Sequence, residues 1–315
     1  VARSLRDIKR QIKSVQSTQQ ITRAMKMVAA AKLRRAQARM LALRPYANDM
    51  AEILAPVLAE AAGDEHAFLR PGQEGGKIGL VFVAADRGLC GGFNMNLVRR
   101  AERFLAEDAA GRPVALICVG RKAWDHARRR RLDVIEHYED VFDQVPFSLA
   151  ASLADRVAAR FESGELAEVH LLHAEFVSAM RQIQVVRRLL PLDPEALELA
   201  LPRPAEPHTA AERHAPVPPG EAAAARGAGG EPTLEPALAP LADALLQRFV
   251  GTQVYRALLE SYASELGARM TAMEAATENA EDMIARLTLD YNRARQAAIT
   301  KELLDIVGGA EAMKA

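Results

Sequence analysis

Aromatic residues are scarce in this chain, at 5 % of 315 residues with a single tryptophan, so the stacking platforms that single-stranded nucleic acid needs are largely missing. The two cysteines, Cys90 and Cys118, cannot build a disulfide framework and point to a reducing compartment. No apolar run is long enough to span a bilayer. No secretory signal is read at the start either, because Arg3, Arg6 and Lys9 lead into an amphipathic helix rather than an apolar core. Neither a Gly-Lys-Ser/Thr phosphate loop nor a GxGxxG turn occurs. The histidines show no metal-ligand spacing, and His170 and His173, three apart on an expected strand, should face opposite sides. Asp86 and Glu175 read as lone acids, so no paired-carboxylate site is expected. Catalytic, cofactor-binding and metal residues are therefore all expected to be absent.

What the chain does have is two long helical runs, residues 2 to about 57 and about 238 to 307, with alternating strands and helices between them. At about 1.5 Å per residue the runs are about 80 Å and about 100 Å long. No body of this size can bury helices of that length, so they should pair with each other and project. Net charge is zero but unevenly spread. Residues 1–44 carry twelve Lys/Arg against Asp7 alone, and residues 260–305 carry nine acids against five bases, so the two arms are complementary in sign. The basic arm suits a solvated face, an anionic surface or a protein partner with acidic loops.

The first run places Leu5, Ile8, Ile12, Val15, Ile21, Met25, Val28 and Leu33 on one stripe, interrupted by Gln19 and Gln20. Ala29–Ala31 should let a partner helix approach closely, and Pro45 and Pro56 should bend or end the helix. In the middle block, strands are expected at 77–85, 113–120, 132–137, 168–174 and 182–190, the last two as a possible antiparallel pair. Helices are expected at 94–107, 121–131 and 147–162. This alternation indicates a doubly wound, Rossmann-like sheet. The Pro/Ala/Gly-rich stretch 194–232 reads as a low-complexity insertion. The second run carries Leu245, Phe249, Leu258, Tyr262, Leu266, Met270, Met273, Met283, Leu287, Tyr291, Ala294, Leu303 and Val307 at helical spacing, and Gly308-Gly309 should stop it. The fold expected is a long antiparallel coiled coil of the two terminal helices plus a Rossmann-like α/β domain. Its parts are 1–60, 77–236 (with the insertion) and 238–307. Pairing in that register brings Val1 level with about residue 295 and leaves an apolar helix tip (Ile299, Leu303, Leu304, Ile306, Val307) in need of a sheath.

The loop Asp86-Arg87-Gly88-Leu89-Cys90-Gly91-Gly92-Phe93-Asn94 follows a strand and opens a helix, where phosphates bind in other folds. Without the phosphate-loop residues it reads first as a tight turn, and Cys90 as a packed thiol. Two further readings, an α/β nucleotide-binding module with helical extensions and a nucleic-acid-binding coiled coil, lack those residues and the aromatics respectively.

Three passages carry a family resemblance: SLRDIKRQIKSVQSTQQITRAMKMVAAAKLRRAQ, ADRGLCGGFN and AATENAEDMIARLTLDYNRARQAAITKELLDIVGGAEAM, with FVGTQVYRALLESYASELGARMTAM between the last two. They resemble the gamma subunit of F-type ATP synthase. The resemblance implies a non-catalytic rotor shaft standing inside three alpha and three beta subunits, its foot holding the epsilon subunit and resting on the membrane c-ring. It also implies a peripheral position on the cytoplasmic face of a bacterial membrane. Met25 and Lys26 match the stretch facing the beta subunit's acidic lever loop. Arg269, Arg295, Gln296, Thr300, Lys301 and Glu302 match further beta-contact positions. Leu234 and Glu235 match a foot contact to epsilon or the c-ring, with Leu234 standing where the family often has an aromatic.

Overall fold

The computed structural model describes residues 4–60, 66–192 and 238–312. Helix α1 spans Leu5–Glu60, 56 residues, and α5 spans Leu238–Ala312, 75 residues. Between them lie β1 (Lys77–Val83), α2 (Phe93–Arg103), β2 (Val114–Val119) and α3 (Arg121–Arg130). There follow β3 (Val134–Tyr138), α4 (Phe147–Glu162), β4 (Leu166–Phe176) and β5 (Gln182–Leu190). The sheet order is β3-β2-β1-β4-β5, parallel except for the antiparallel β4–β5 edge pair.

The parallel strands are buried on both faces, which is why their sequences are continuously apolar. Ile78, Leu80, Phe82, Leu116 and Cys118 pack under α2 and α3. Val81, Val83, Ala115, Ile117 and Val119 point the other way, onto α4 and α5. The sheet is thus covered on one side by α2 and α3 and on the other by α4 together with a helix of the rod.

The rod pairs antiparallel. Gln19 Nε2 donates to Glu281 Oε1 at 3.0 Å, the Thr22 and Thr277 hydroxyls meet at 2.8 Å, and Lys26 pairs with Glu274. Continued outward, this register sets Leu5 level with about Arg295, as the sequence geometry implied to within a few residues. The seam repeats every seven residues. On α1 it runs through Ile8, Val15, Thr22, Ala29 and Ala36, and on α5 through Leu259, Leu266, Met273, Ala280 and Leu287. A seven-residue repeat keeps one seam facing a partner when the helices supercoil left-handedly. Gln19 therefore belongs to the seam rather than interrupting it. Ile21 (58 % exposed), Val28 (57 %) and Met283 (51 %), expected in the stripe, face outward.

Pro45 and Pro56 neither end nor divide α1 in this structure. Pro45 is exposed, so the carbonyl that loses its intrahelical donor can be hydrated, while Met50 and Leu54 beyond it are buried in the core around α5. Tertiary burial holds the helix through a residue that costs roughly 3 kcal/mol in isolation. Gly308-Gly309 likewise do not stop α5, which continues to Ala312; a glycine weakens a helix by about 1 kcal/mol but ends it only by turning left-handed. The helix expected at 94–107 closes with a π-helical turn, Phe104–Asp108, in which Ala109 N–H donates to Phe104 O at 2.9 Å.

Sets of hydrogen bonds from both helices key the rod to the foot. Ladder pairing between β1 and β4 ends at Leu172, and the backbone of Ala174 turns to α5 instead. Its N–H donates to Ser261 Oγ (2.9 Å), and its carbonyl accepts from Ser264 Oγ (3.2 Å). From α1, Arg39 donates to the carbonyls of Gln144 and Val145, both at 2.6 Å, and to Tyr255 Oη on α5 at 2.8 Å.

Candidate functional site

The sequence singles out the loop after β1, a few residues on α1 and a run near the end of α5. The structure gathers the first two at the neck, where the rod leaves the foot, and carries the third far out on the tip.

At the neck the loop is held by its own residues. Asp86 Oδ1 accepts from the backbone N–H of Arg121 and of Asp140, each at 2.9 Å, and Oδ2 accepts from Phe142 N–H at 3.2 Å. The Asp86 carboxylate thus caps the N-terminus of α3, while the loop itself opens α2 at Phe93. Asn94 Oδ1 accepts from Ala85 N–H at 3.0 Å, and its Nδ2 donates to Arg87 O at 3.3 Å. Gly120 holds φ +90, and a Cβ there would lie 1.9 Å from Ala84 O, so the crossing of β1 past α3 requires glycine. Cys90 is buried and its thiol is pushed up by desolvation; burial pushes Cys118 up to about 12. Neither is poised as a nucleophile. Asp86, read from sequence as a lone acid, is the organising centre of three segments. Its backbone partners lie 35 to 56 residues away, beyond the reach of local pattern.

Arg269 of α5 donates from Nη2 to Gly88 O at 3.0 Å and pairs through Nη1 with Glu265. Burial pushes the Glu265 carboxyl up to about 7, against the opposing pull of Arg269. Met25, Lys32, Asp86, Leu89, Glu265 and Arg269 are among the residues lining a groove of about 490 Å³ between the two helices and the loop. Ile21, Val28 and Leu89 (65 % exposed) give it an apolar rim. Lys26 lies alongside, paired with Glu274 across the seam.

Arg295, Gln296, Thr300, Lys301 and Glu302 are all exposed on α5. Arg295 is about 40 Å along the helix from Arg269, so the predicted contact residues form two surfaces, not one. Around the outer group Ile299 (46 %), Leu303 (58 %), Leu304 (67 %) and Ile306 (63 %) stand exposed, beyond the level of Leu5. Leu234, Glu235 and the 194–232 insertion lie outside the described residues.

A two-helix rod keyed to an α/β foot, with an apolar tip extending past its partner helix, defines a stalk-type protein built to carry force. Comparison with known proteins specifies which. A family model described as ATP synthase matches residues 4–313. The chain is 45 % identical over 310 residues to the ATP synthase gamma chain of Moorella thermoacetica, covering 98 % of this chain and 99 % of that one. It is 46 % identical over 315 residues to that of Anaeromyxobacter dehalogenans, covering 99 % of each. Among solved structures, the central stalk and c-ring of the Tetrahymena thermophila mitochondrial ATP synthase contains a similar chain. It has TM-score 0.57 and 25 % identity and covers 81 % of this chain and 99 % of that one. A chain of the Euglena gracilis mitochondrial enzyme shares the fold at TM-score 0.62, 18 % identity, 98 % and 94 % coverage. The protein belongs to the ATP synthase gamma chain family.

Proposed function

We propose that this chain is the central rotor shaft of a bacterial F-type ATP synthase, coupling rotation of the membrane c-ring to conformational cycling of the catalytic beta subunits. The observation that carries the reading, beside family membership, is the unequal rod. Its two helices are locked in register at Gln19–Glu281 and Thr22–Thr277, yet α5 continues past α1 with apolar side chains exposed. Exposed leucines and isoleucines on a lone helix call for a surrounding wall, and a wall without a fixed register allows turning. The chain itself makes and breaks no bonds. It works by presenting different faces to three beta subunits in turn.

In this reading the alpha and beta subunits, three of each, enclose the rod, and the epsilon subunit and c-ring meet the foot. The complex places the chain peripherally at the cytoplasmic face of the membrane; no helix among the described residues is long and apolar enough to cross it. Met25 and Lys26 face the acidic lever loop of a beta subunit, with Lys32 adding positive charge to the groove. Arg269 bears on the same surface by bracing the loop at Gly88. Arg295, Gln296, Thr300, Lys301 and Glu302 make directional, breakable polar contacts to beta higher up. Leu234 and Glu235 serve the foot. The chain carries no cofactor in this role.

The test is to assemble alpha and beta subunits with this chain and watch a probe on the foot during ATP hydrolysis. Stepwise turning in thirds of a circle is the expected outcome. Failure to assemble with alpha and beta would overturn the reading.

A further inference from the structure

Where β4 meets α5, three side chains converge that no part of the shaft function uses. His173 on β4 is 3 % exposed, and its Nδ1 is buried with no hydrogen-bond partner. Its Nε2 stands 3.5 Å from Glu260 Oε2 on α5. That is the outer limit of a hydrogen bond. It is close to the edge of about 3.3 Å that separates two donors on a tetrahedral ion with bonds of about 2.0–2.1 Å. Glu175 lies two residues beyond His173 and so on the same face of the strand. One donor atom from each of the three residues lies within 4.8 Å of the others.

We propose that His173, Glu175 and Glu260 form a zinc site that ties β4 of the foot to α5 of the shaft. One imidazole nitrogen and two carboxylates are donors that suit Zn²⁺, with a water completing four-coordination. Arg256 Nε donates to Glu260 Oε1 at 2.8 Å, and Arg187 pairs with Glu175 Oε1. Each guanidinium therefore orients a carboxylate through Oε1, and the ion takes Oε2. Glu260 is nine-tenths buried, with His173 and Arg256 on its two oxygens. A cavity of about 580 Å³ touching His173 and Glu260 gives a hydrated ion its route and supplies the fourth ligand. The two arginines offset the carboxylate charge, so binding belongs in the micromolar rather than the subnanomolar class. The ion would brace the junction at which torque passes from foot to rod, beside the Ser261 and Ser264 contacts.

The test titrates the full-length, tag-free chain, stripped with chelator, with Zn²⁺ by calorimetry and with Co²⁺ by visible absorption. One zinc per chain, intense four-coordinate cobalt bands and a zinc-dependent rise in melting temperature are expected. Glu175→Gln, partly exposed and tolerant of change, should weaken binding by about tenfold to a hundredfold and abolish the thermal shift. His173→Gln should do the same, and His126→Gln, at a buried histidine outside the cluster, should change neither. Absence of saturable uptake, or uptake unaltered in Glu175→Gln, overturns the site and leaves His173 as a buried neighbour of Glu260. Rotation of the assembled complex is a separate readout, so a failed zinc titration leaves the shaft reading intact.

Discussion

Asp86, Glu260 and Glu265 are buried acids whose roles are set by what surrounds them. Asp86 accepts three backbone N–H groups. Asp86→Ala would leave those donors without an acceptor, at about 1–3 kcal/mol for each that stays buried. The chain should lose about 3 kcal/mol or more in urea denaturation, and Asp86→Asn, which keeps one oxygen, should lose less. Glu265 and Glu260 lie five residues apart on α5 and titrate in opposite directions. Burial lifts Glu265 from 4.5 to about 7, whereas Glu260, whose burial alone would raise it, is drawn down to about 2 by His173 and Arg256. For Glu265 the folded chain keeps a proton that the unfolded chain has already released. Its effect is to make stability fall as pH rises from 4.5 to about 7. Glu265→Gln should remove that slope and leave the chain more stable than wild type at pH 8, by on the order of 3 kcal/mol, and equal to it below pH 4.5. Thermal melts across pH 4–8 decide it, and a wild-type slope retained in the variant would refute the assignment. Little of this was legible in the sequence: Arg256 and Arg269 stand four residues from Glu260 and Glu265 on α5, but the burial of both carboxyls, the His173 neighbour and all three partners of Asp86 come from distant elements.

At the scale of elements the sequence was more open. The strands of the parallel sheet announced themselves as apolar runs because both faces are covered, and Phe147–Glu162 and Gln182–Leu190 were read with the observed ends. The local rule that proline ends a helix met tertiary burial at Pro45, and the glycine pair Gly308-Gly309 lacks the left-handed turn that would end α5. The seam of the rod was misread for a related reason. Half of its positions are small or polar (Gln19, Thr22, Ala29, Ala36, Thr277, Ala280), so a search for large apolar residues selected Ile21 and Val28, which face out. These same outward residues form the rim of the neck groove, so the misreading marks a contact surface. The joints between elements are polar and testable. Ser261 and Ser264 are fully buried and bind the two backbone groups of Ala174. Ser261→Ala leaves the Ala174 N–H unpaired and should cost about 1–3 kcal/mol. It should also speed hydrogen exchange at Ala174 while leaving β1 and β2 protected. Uniform loss of protection would mean that the joint has no local role. Gly267 approaches the β4–β5 turn so closely that a Cβ would lie 3.1 Å from Ala179 Cα. A bulky residue there should push the hairpin off the shaft.

At the scale of the whole molecule, what matters is which surfaces the folded chain leaves unused. The two arms carry opposite net charge. In the seam, however, Lys26–Glu274 and Gln19–Glu281 are the described side-chain contacts to an acid, and much of the basic face of α1 stays outward. That face adjoins Met25 and Lys26, which are read as partners of an acidic loop. Met25→Lys adds a cation to a groove lined by Lys32, Arg87 and Arg269 beside Asp86, Asp140 and Glu265. It should tighten the grip of an acidic loop and lower coupling efficiency in the assembled complex while leaving the isolated chain folded. Unaltered coupling would remove Met25 from the contact. The tip makes the complementary case. Among the described residues, those beyond about Arg295 have no partner helix alongside, so deleting them should lower the unfolding free energy of the isolated chain in urea by no more than about 0.5 kcal/mol. The same deletion should shorten the dwell of the shaft in the alpha–beta ring, because the exposed Ile299, Leu303, Leu304 and Ile306 are then missing from its wall. A loss of chain stability equal to the loss of assembly would show that the tip folds back on its own rod. A loss of assembly alone would show that its burial belongs to the ring, as expected of a shaft seated in a bearing.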